Sequence, residues 1–249
     1  MTTRETARPL QPSEFAESLR RGALIGAAAL LLVLPPALHY APVGHSSRAK
    51  SALDRHLANL GNEPASPDVR RVADWVAVSQ DNGRHAFAIL DKQQARVFLF
   101  DPDARVITST PALLGAAHGD DTVPGIGDKP LKDVKEDEKT TPAGRFVAQV
   151  GESSSRHEDV VWVDYDAAVS MHRIIKVPER LKAMATPDVK DNRMSFGCIN
   201  LPDAFYEGFL RPTTDRYGLI VYVLPETRPI EKTFASFFDA DAAFKTAQH

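Results

Sequence analysis

Residues 193–202 read RMSFGCINLP, and this stretch holds the only cysteine of the 249-residue chain. Gly197 immediately precedes Cys198, and a residue without a Cβ lets the backbone turn tightly and approach a ligand. Pro202 and the residues after it predict the first turn of a helix. The spacing therefore predicts that Cys198 lies just upstream of a helix N-terminus, where unpaired N–H groups and the helix dipole favour a thiolate.

A single cysteine has two interpretations. As a nucleophile, a thiol with an ordinary pKa of about 8.5 needs help from its surroundings to attack at neutral pH. As a structural residue, Cys198 would be a small buried hydrophobic side chain. One cysteine also excludes an intramolecular disulfide and a multi-cysteine metal site.

The composition limits the classes of partner. The chain is 43% hydrophobic and 25% charged, which fits one globular domain with additional segments. A formal net charge of -3 provides no electrostatic basis for binding nucleic acid, so no nucleic-acid partner is expected. Residues 125–128 (GIGD) lack the spacing and the strand–helix context of a phosphate-binding loop.

The N-terminal 44 residues contain a candidate membrane anchor. Arg20 and Arg21 precede an apolar run over residues 22–38, longer than most signal-peptide cores and short for a spanning helix. The basic residues ahead of the run keep the N-terminus cytoplasmic by the positive-inside rule. We therefore predict a signal anchor and tether over residues 1–44, with the body in the periplasm and attached to the inner membrane. A cleaved signal and a buried core helix are the alternatives.

Export would change the interpretation of the cysteine. An exported protein that keeps one unpaired cysteine exposes a thiol to oxidants, which favours a use for Cys198.

Residues 45–84 are predicted to form a helical segment that precedes the catalytic part. Apolar residues at helical spacing predict one helix over residues 47–60, ending at Gly61. Ser66 followed by Pro67 predicts the start of a second helix.

Residues 85–225 change to short β-rich segments separated by turns. Residues 113–140 form a long polar connection, longer than a structureless loop should be in a compact domain unless it has a function. A short helix is predicted over residues 177–184. The predicted strands are residues 86–90, 96–100, 105–109, 145–150, 160–165, 167–172 and 218–224.

This spacing of strands predicts a mainly β, α+β fold, a mixed β-sandwich with peripheral helices packed at its edges. Residues 226–249 are predicted to be a C-terminal tail, with an amphipathic helix around residues 234–238.

A cysteine nucleophile requires a base, and four of the eight histidines lie in the β-rich part. Spacing cannot select among them, because catalytic partners are neighbours in space rather than in sequence. His172, at the end of a predicted strand, is the best placed, and His118 in the long loop is second. His85 and His157 remain candidates, and for each a surface or structural role is the alternative.

Three motifs in this order resemble the catalytic domain of the L,D-transpeptidases of the YkuD type. They are the turn at residues 141–146 (TPAGRF), the histidine strand at residues 170–172 (SMH) and the cysteine segment at residues 195–200 (SFGCIN). In that family a Thr-Pro-x-Gly-x-Phe turn precedes the histidine strand, and a Ser/Thr-His-Gly-Cys segment contains the nucleophile. The resemblance covers residues 85–224.

The resemblance implies Cys198 as the nucleophile and His172 as its general base. The residues implied to shape the substrate and oxyanion site are Ser195, Gly197, Asn200 and Arg193. Backbone N–H groups of the glycine and the cysteine would stabilise the oxyanion. The arginine would hold a substrate carboxylate through its bidentate guanidinium.

Three features depart from the family's pattern. Phe196 stands where the common motif has histidine, and Arg173 stands where glycine often follows the catalytic histidine. The interval between His172 and Cys198 is also longer than usual. The additional residues, 178–188, are predicted to form a lid beside the site.

The implied function is acyl transfer through a cysteinyl thioester, with peptidoglycan stem peptides as substrates and without a metal or an organic cofactor. The thiolate would attack the carbonyl of the L-centre in an L,D-peptide bond, and an amine from a second stem would resolve the acyl-enzyme. Hydrolysis by the same residues, as an L,D-carboxypeptidase or a hydrolase of stems or wall-linked lipoprotein, is the alternative. A non-catalytic wall-binding module is a third possibility.

Overall fold

The structure is a computed structural model that describes residues 56–153, 157–186 and 188–247. The predicted signal anchor and tether, residues 1–44, lie outside the described residues, as does most of the helix predicted over residues 47–60. Within the described ranges, no helix is long and apolar enough to cross a membrane.

Ten strands account for most of the regular structure in the described part of the chain. They are β1 (Ala86–Asp91), β2 (Arg96–Phe100), β3 (Val106–Pro111), β4 (Leu114–Gly115), β5 (Gly144–Ser153), β6 (Glu158–Asp164), β7 (Val169–Arg173), β8 (Arg193–Ser195), β9 (Ile199–Leu201) and β10 (Leu219–Val223). The strands predicted between residues 86 and 224 are therefore confirmed, with ends shifted by a few residues.

Helices lie between the strands and at both ends of the described chain. They are α1 (Pro67–Ser79), α2 (Pro178–Ala185), α3 (Asp203–Phe205), α4 (Arg211–Tyr217), α5 (Ile230–Thr233) and α6 (Ala240–Ala247). A π-helical turn, Tyr206–Leu210, joins α3 to α4. The long loop before β5 contains the single 3₁₀ turns Ile126–Asp128, Leu131–Asp133 and Glu136–Glu138.

Eight of the strands form one sheet in the order β3-β2-β1-β10-β5-β6-β7-β9, and β4 pairs with β8 separately. The pairs β1–β10 and β7–β9 are parallel, and the other neighbours in the large sheet are antiparallel. The mainly β fold with peripheral helices is confirmed.

The predicted sandwich of two sheets is replaced by one sheet that curls until its edges approach. Leu113, just after edge strand β3, exchanges backbone hydrogen bonds of 3.0 and 2.9 Å with Asn200 of the opposite edge strand β9. One hydrophobic cluster lines the inner face, with members that include Leu99, Val161 and Met171. Alternation along a strand shows that one face is buried, but it does not distinguish a facing sheet from the same sheet curled round.

The outer face of β1, β2 and β10 is covered by α1 and by the segment after β10. Trp75 of α1 lies 5.8 Å from Tyr222 and 5.7 Å from Phe234, measured between ring centroids. Its indole Nε1 also donates a hydrogen bond of 3.1 Å to Ser236 O. The N-terminal helix and the C-terminal segment therefore share one hydrophobic cluster with the sheet.

Two of the helix predictions fail locally. Residues 56–60 are not helical, because Asn59 bonds through its backbone to Ala104 and Val106 at 2.9 and 2.8 Å. Residues 234–238 are not helical either, since α5 ends before them and α6 begins after them. In contrast, α1 begins as predicted, with the Ser66 side chain accepting a hydrogen bond from Val69 N.

Candidate active site

The parallel pair β7–β9 places the candidate nucleophile and base on one face of the sheet. Met171 pairs with Ile199 and His172 with Asn200. Because Met171 and Ile199 belong to the inner cluster, alternation directs His172 and Cys198 to the outer face. Cys198 directly precedes β9 and lies diagonally opposite His172 of β7.

The thiol of Cys198 is half-buried and faces the start of β7. Its Sγ donates a hydrogen bond of 3.5 Å to Ala168 O and lies 3.8 Å from Ser170 Oγ. The sulfur therefore lies against the strand that also carries His172.

The imidazole of His172 is buried, and its tautomer follows from one contact. Nδ1 lies 2.7 Å from the backbone oxygen of Arg173. A carbonyl oxygen can only accept, so Nδ1 donates the hydrogen, and in the neutral ring Nε2 keeps the lone pair. His172 Nε2 is consequently the ring atom that can take a proton.

Arg173, where the family often has glycine, is held by its own contacts. Its guanidinium binds Asp159 at 2.8 Å, forms an ion pair with Glu207 and lies 4.3 Å from the centroid of the Tyr206 ring. Burial opposes ionisation of Asp159, but hydrogen bonds from Arg173 and Tyr206 hold the pKa of that carboxyl below its ordinary value. These contacts anchor the residue whose carbonyl orients His172.

Ser195 and Gly197 shape the turn before the sulfur. Ser195 Oγ donates to Cys198 O at 2.6 Å and accepts from Gly197 N at 3.1 Å. Gly197 has φ +126°, and a Cβ there would lie 2.8 Å from Thr140 O, so only glycine fits.

The predicted pair of oxyanion donors needs correction. The Gly197 N–H is engaged by Ser195 Oγ, so it is not directed at a substrate. The Cys198 N–H has no hydrogen-bond acceptor within residues 56–153, 157–186 and 188–247. It remains the backbone donor of this turn that can meet an oxyanion.

Thr141, which the sequence analysis treated only as part of a turn motif, supports the cysteine turn directly. Its fully buried Oγ1 donates to Gly197 O at 2.8 Å and accepts from Gly115 N at 2.9 Å. Its place as the first residue of the TPAGRF motif was the sequence signal that could have indicated this role.

Asn200 connects the cysteine turn to the inserted helix. Its Nδ2 donates to Cys198 O at 3.3 Å, and its Oδ1 accepts from Arg180 Nη1 at 2.5 Å. The predicted short helix is confirmed as α2, and Arg180 places it beside the nucleophile turn.

Arg193 does not present its guanidinium to a substrate, contrary to the expectation. Nη1 and Nη2 lie 3.2 and 2.5 Å from the two carboxylate oxygens of Glu226, and Nη2 also donates to Lys92 O at 2.8 Å. The bidentate fork is therefore taken by a carboxylate of the chain itself.

The ion pair belongs to a buried cluster with two cations and two carboxylates. Lys92 Nζ donates to Asp120 Oδ1 at 2.9 Å and to Thr141 O at 3.1 Å, and lies 3.5 Å from Glu226 Oε1. With Arg193 the formal charges balance. The cluster joins β8 and the segment after β10 to the threonine that supports the cysteine turn.

Both carboxylates of the cluster are stabilised in the ionised form. Burial opposes this, but hydrogen bonds from Thr227 and Lys92 lower the pKa of Asp120 far below its ordinary value. Burial is likewise outweighed at Glu226, where a hydrogen bond from Gly119 N and the neighbouring cations lower the pKa of the carboxyl.

The predicted helix N-terminus next to the sulfur is not found. Residues 199–201 form β9, so α3 begins only at Asp203. Three extended residues span about 10 Å, whereas the helix dipole acts mainly within the first turn. The local prediction failed because Ile199 and Leu201 are buried in a sheet.

The other candidate bases contact different groups. His118 Nδ1 lies 3.1 Å from Glu226 Oε2, and His157 and His85 contact a carboxylate and a backbone carbonyl. Only His172, among the described histidines, pairs in register with the strand that follows the cysteine. Within the described residues there is also no cluster of His, Cys, Asp or Glu that could hold a metal.

Phe196, where the family's motif has histidine, is exposed beside the cysteine. Lys139 Nζ, at the end of the long loop, lies 4.3 Å from the centroid of its ring and 2.6 Å from Glu136 Oε1. The long loop therefore reaches the edge of the candidate site.

No family model and no curated protein matches this sequence. Similar solved structures are L,D-transpeptidases and a cell-shape protein. The catalytic domain of the E. faecium L,D-transpeptidase is 18% identical, with a TM-score of 0.35 over 57% of this chain and 98% of that one. The L,D-transpeptidase from Stackebrandtia nassauensis is 18% identical, with a TM-score of 0.34 over 69% and 74%.

The helical cell shape determining protein Pgp2 from Campylobacter jejuni is 16% identical, with a TM-score of 0.39 over 58% of this chain and 48% of that one. The chain spans 50%, 60% and 58% of three other L,D-transpeptidase structures to which it is similar. The chain therefore spans less than two thirds of the length of these three structures.

Proposed function

We propose that this protein is a peptidoglycan L,D-transpeptidase, a cysteine-dependent acyltransferase. The observation that carries the proposal is the placement of His172, on β7, and Cys198, directly before the neighbouring β9, on one face of the sheet, with His172 Nδ1 bonded to Arg173 O. The three ordered motifs at residues 141–146, 170–172 and 195–200 support the same family.

The first half-reaction forms a thioester. His172 Nε2 takes the proton of the Cys198 thiol, and the sulfur attacks the carbonyl carbon of the L-centre in a stem peptide. The tetrahedral intermediate places its oxyanion at the Cys198 N–H, an interaction that is typically worth about 3–4 kcal/mol. The C–N bond then breaks, and the imidazolium returns the proton to the leaving amine of the D-residue.

The second half-reaction releases the enzyme. The amine of a second stem attacks the thioester carbonyl and gives its proton to His172. As the C–S bond breaks, the imidazolium returns that proton to the leaving sulfur, which regenerates the thiol and the neutral base. Water in place of the amine would make the same residues a carboxypeptidase or hydrolase. This chemistry requires no metal or organic cofactor.

We also propose that the body acts in the periplasm and is attached to the inner membrane through residues 22–38. The apolar run after Arg20 and Arg21 supports this placement. Protease added to intact cells after permeabilisation of the outer membrane should digest the body, and protection of the body would contradict the location.

The proposed reaction is tested with purified full-length protein and purified disaccharide-tetrapeptide muropeptides, with product masses as the readout. Cross-linked dimers and a released D-residue are expected, and the Cys198→Ala variant should form neither. Cleaved stems without dimers would assign a hydrolase. A chain that leaves the substrate unchanged and whose thiol fails to react with a carbapenem would be a non-catalytic module.

A further inference from the structure

Trp162 lies in one row with the candidate nucleophile across three strands of the outer face. It pairs directly with Ser170 across β6 and β7, and Ser170 Oγ lies 3.8 Å from Cys198 Sγ. The neighbours of Trp162 in β6, Val161 and Val163, belong to the inner cluster, so its indole is on the outer face.

The edge of the indole lies close to the next strand because that strand has a glycine there. A Cβ on Gly151 of β5 would lie 2.7 and 2.8 Å from Cδ1 and Nε1 of Trp162. Glycine inside a strand commonly marks such a close approach. Tyr165 packs against the indole with ring centroids 5.2 Å apart and is itself 75% exposed.

The surface around this aromatic pair is open. Val147 on the outer face of β5 is 58% exposed, and Gln149, which pairs with Trp162, is exposed as well. In contrast, α1 covers the outer face of β1, β2 and β10. Exposed apolar surface beside a nucleophile is a candidate for ligand binding.

The distance between this surface and the sulfur matches the length of a stem peptide. Neighbouring strands lie about 4.8 Å apart, so Trp162, two strands from β9, is about 10 Å from Cys198. Three residues at about 3.3–3.6 Å each also span about 10 Å. A sugar attached three residues from the carbonyl that acylates the sulfur would therefore reach Trp162.

The chemistry of the surface fits a sugar ring. The face of an indole has a negative quadrupole, which attracts the polarised C–H groups on the apolar face of a pyranose. The amide of Gln149 and the hydroxyl of Tyr165 can bond the ring's hydroxyl and acetamido groups.

We propose that Trp162, with Tyr165 and Gln149, binds the hexopyranose that is attached to the donor stem. This inference rests on the proposed function, because it takes Cys198 as the site of acylation.

The first experiment compares two donors, the disaccharide-tetrapeptide and the same tetrapeptide without sugar. The measured quantity is the ratio of their kcat/KM values for the full-length protein. We expect a ratio of about ten or more, a ratio near one in Trp162→Ala, and recovery of much of the preference in Trp162→Phe. Phe238→Ala, which removes another exposed aromatic ring, is the matched control and should keep the original ratio.

The second experiment measures sugar binding without chemistry. The chain has two tryptophans, and Trp75 is 1% exposed, so fluorescence changes caused by added ligand report on Trp162. In Cys198→Ala, the muramyl disaccharide without peptide should change the emission, and in Cys198→Ala/Trp162→Phe it should not.

The outcomes separate the two proposals. Equal kcat/KM values for both donors, a preference that persists in Trp162→Ala, or unchanged emission on adding the disaccharide would each overturn the sugar site. An emission change caused by an apolar peptide but not by the disaccharide would assign the surface to a protein partner instead. Failure of both donors to react, with the thiol inert to carbapenem, would overturn the proposed function, while the emission experiment still decides the sugar site.

Discussion

The hydroxyl of Thr141 donates a hydrogen bond of 2.8 Å to the carbonyl of Gly197, the residue that precedes the only cysteine. The same oxygen accepts from Gly115 N, so one buried hydroxyl joins the long loop to the cysteine turn. Because Lys92 holds the carbonyl of Thr141, the buried charge cluster and the turn are mechanically connected.

The Thr141→Val variant keeps the shape of the side chain but leaves Gly197 O and Gly115 N unpaired in the interior. An unsatisfied buried polar group costs about 1–3 kcal/mol, so the free energy of unfolding should fall by about that amount. The rate of carbapenem acylation should fall about tenfold, because the turn around Cys198 is no longer held. Thr141→Ser keeps the hydroxyl and should retain most of the stability and most of the acylation rate. Equal acylation rates in the valine and wild-type proteins would contradict this role.

Removal of the nucleophile and of its base should have similar consequences. We expect Cys198→Ala to abolish the mass adduct formed with a carbapenem, and His172→Ala to reduce its rate of formation nearly as much. The double variant should be no worse than the single ones, since a nucleophile and its base act as a unit. His118→Ala is the matched control, because this exposed histidine contacts Glu226 instead. An adduct that persists in Cys198→Ala would eliminate Cys198 as the nucleophile.

Loss of one partner of the buried ion pair between Arg193 and Glu226 should destabilise the fold more than loss of both. Their side chains are 6% and 5% exposed, and removal of one partner of such a buried pair typically costs about 3–5 kcal/mol. Arg193→Met should therefore lower the midpoint of urea unfolding sharply, and Arg193→Met/Glu226→Leu should recover part of the loss. The surface pair of Lys176 and Asp203 is the control, and Lys176→Met should leave the midpoint of urea unfolding almost unchanged, because solvent screens an exposed ion pair. Equal losses in the two methionine variants would contradict the prediction.

The cluster also predicts how stability depends on pH. The pKa values of Asp120 and Glu226 are lowered in the folded protein, so the unfolded chain takes up protons first as the pH falls. Their stabilisation is complete above the ordinary carboxyl values of 3.8 and 4.5 and is lost below them. The free energy of unfolding, measured by urea titration from pH 7 to pH 3, should decline below about pH 4.5. The decline should be shallower in Asp120→Asn, and an identical slope would exclude Asp120 as a source of the effect.

Local features were predicted from the sequence because neighbouring residues determine them. Apolar or alternating runs identified seven of the ten strands but not the short strands β4, β8 and β9, and Ser66 followed by Pro67 identified the start of α1. The order of the three motifs singled out Cys198 and His172 for the site. The structure places His172 on β7 and Cys198 directly before the neighbouring β9, and their catalytic roles are predictions.

The tertiary structure decided which distant residues contact one another. Arg193 has the residue type that binds carboxylates, but only the fold places Glu226, from the predicted tail, against it. Thr141 acts on a turn more than fifty residues further along the chain, and no local pattern could have assigned that contact.

The shape of the sheet was decided in the same way. A sheet with one buried face is expected in either architecture, and the backbone pairing of Leu113 with Asn200 is what closes one curled sheet instead of two facing ones. The sequence by itself determined most of the strands and which residue types could do chemistry. Which strands meet, and which charges neutralise one another, depends on hydrogen bonds and burial between distant segments, and these exist only once the chain has folded.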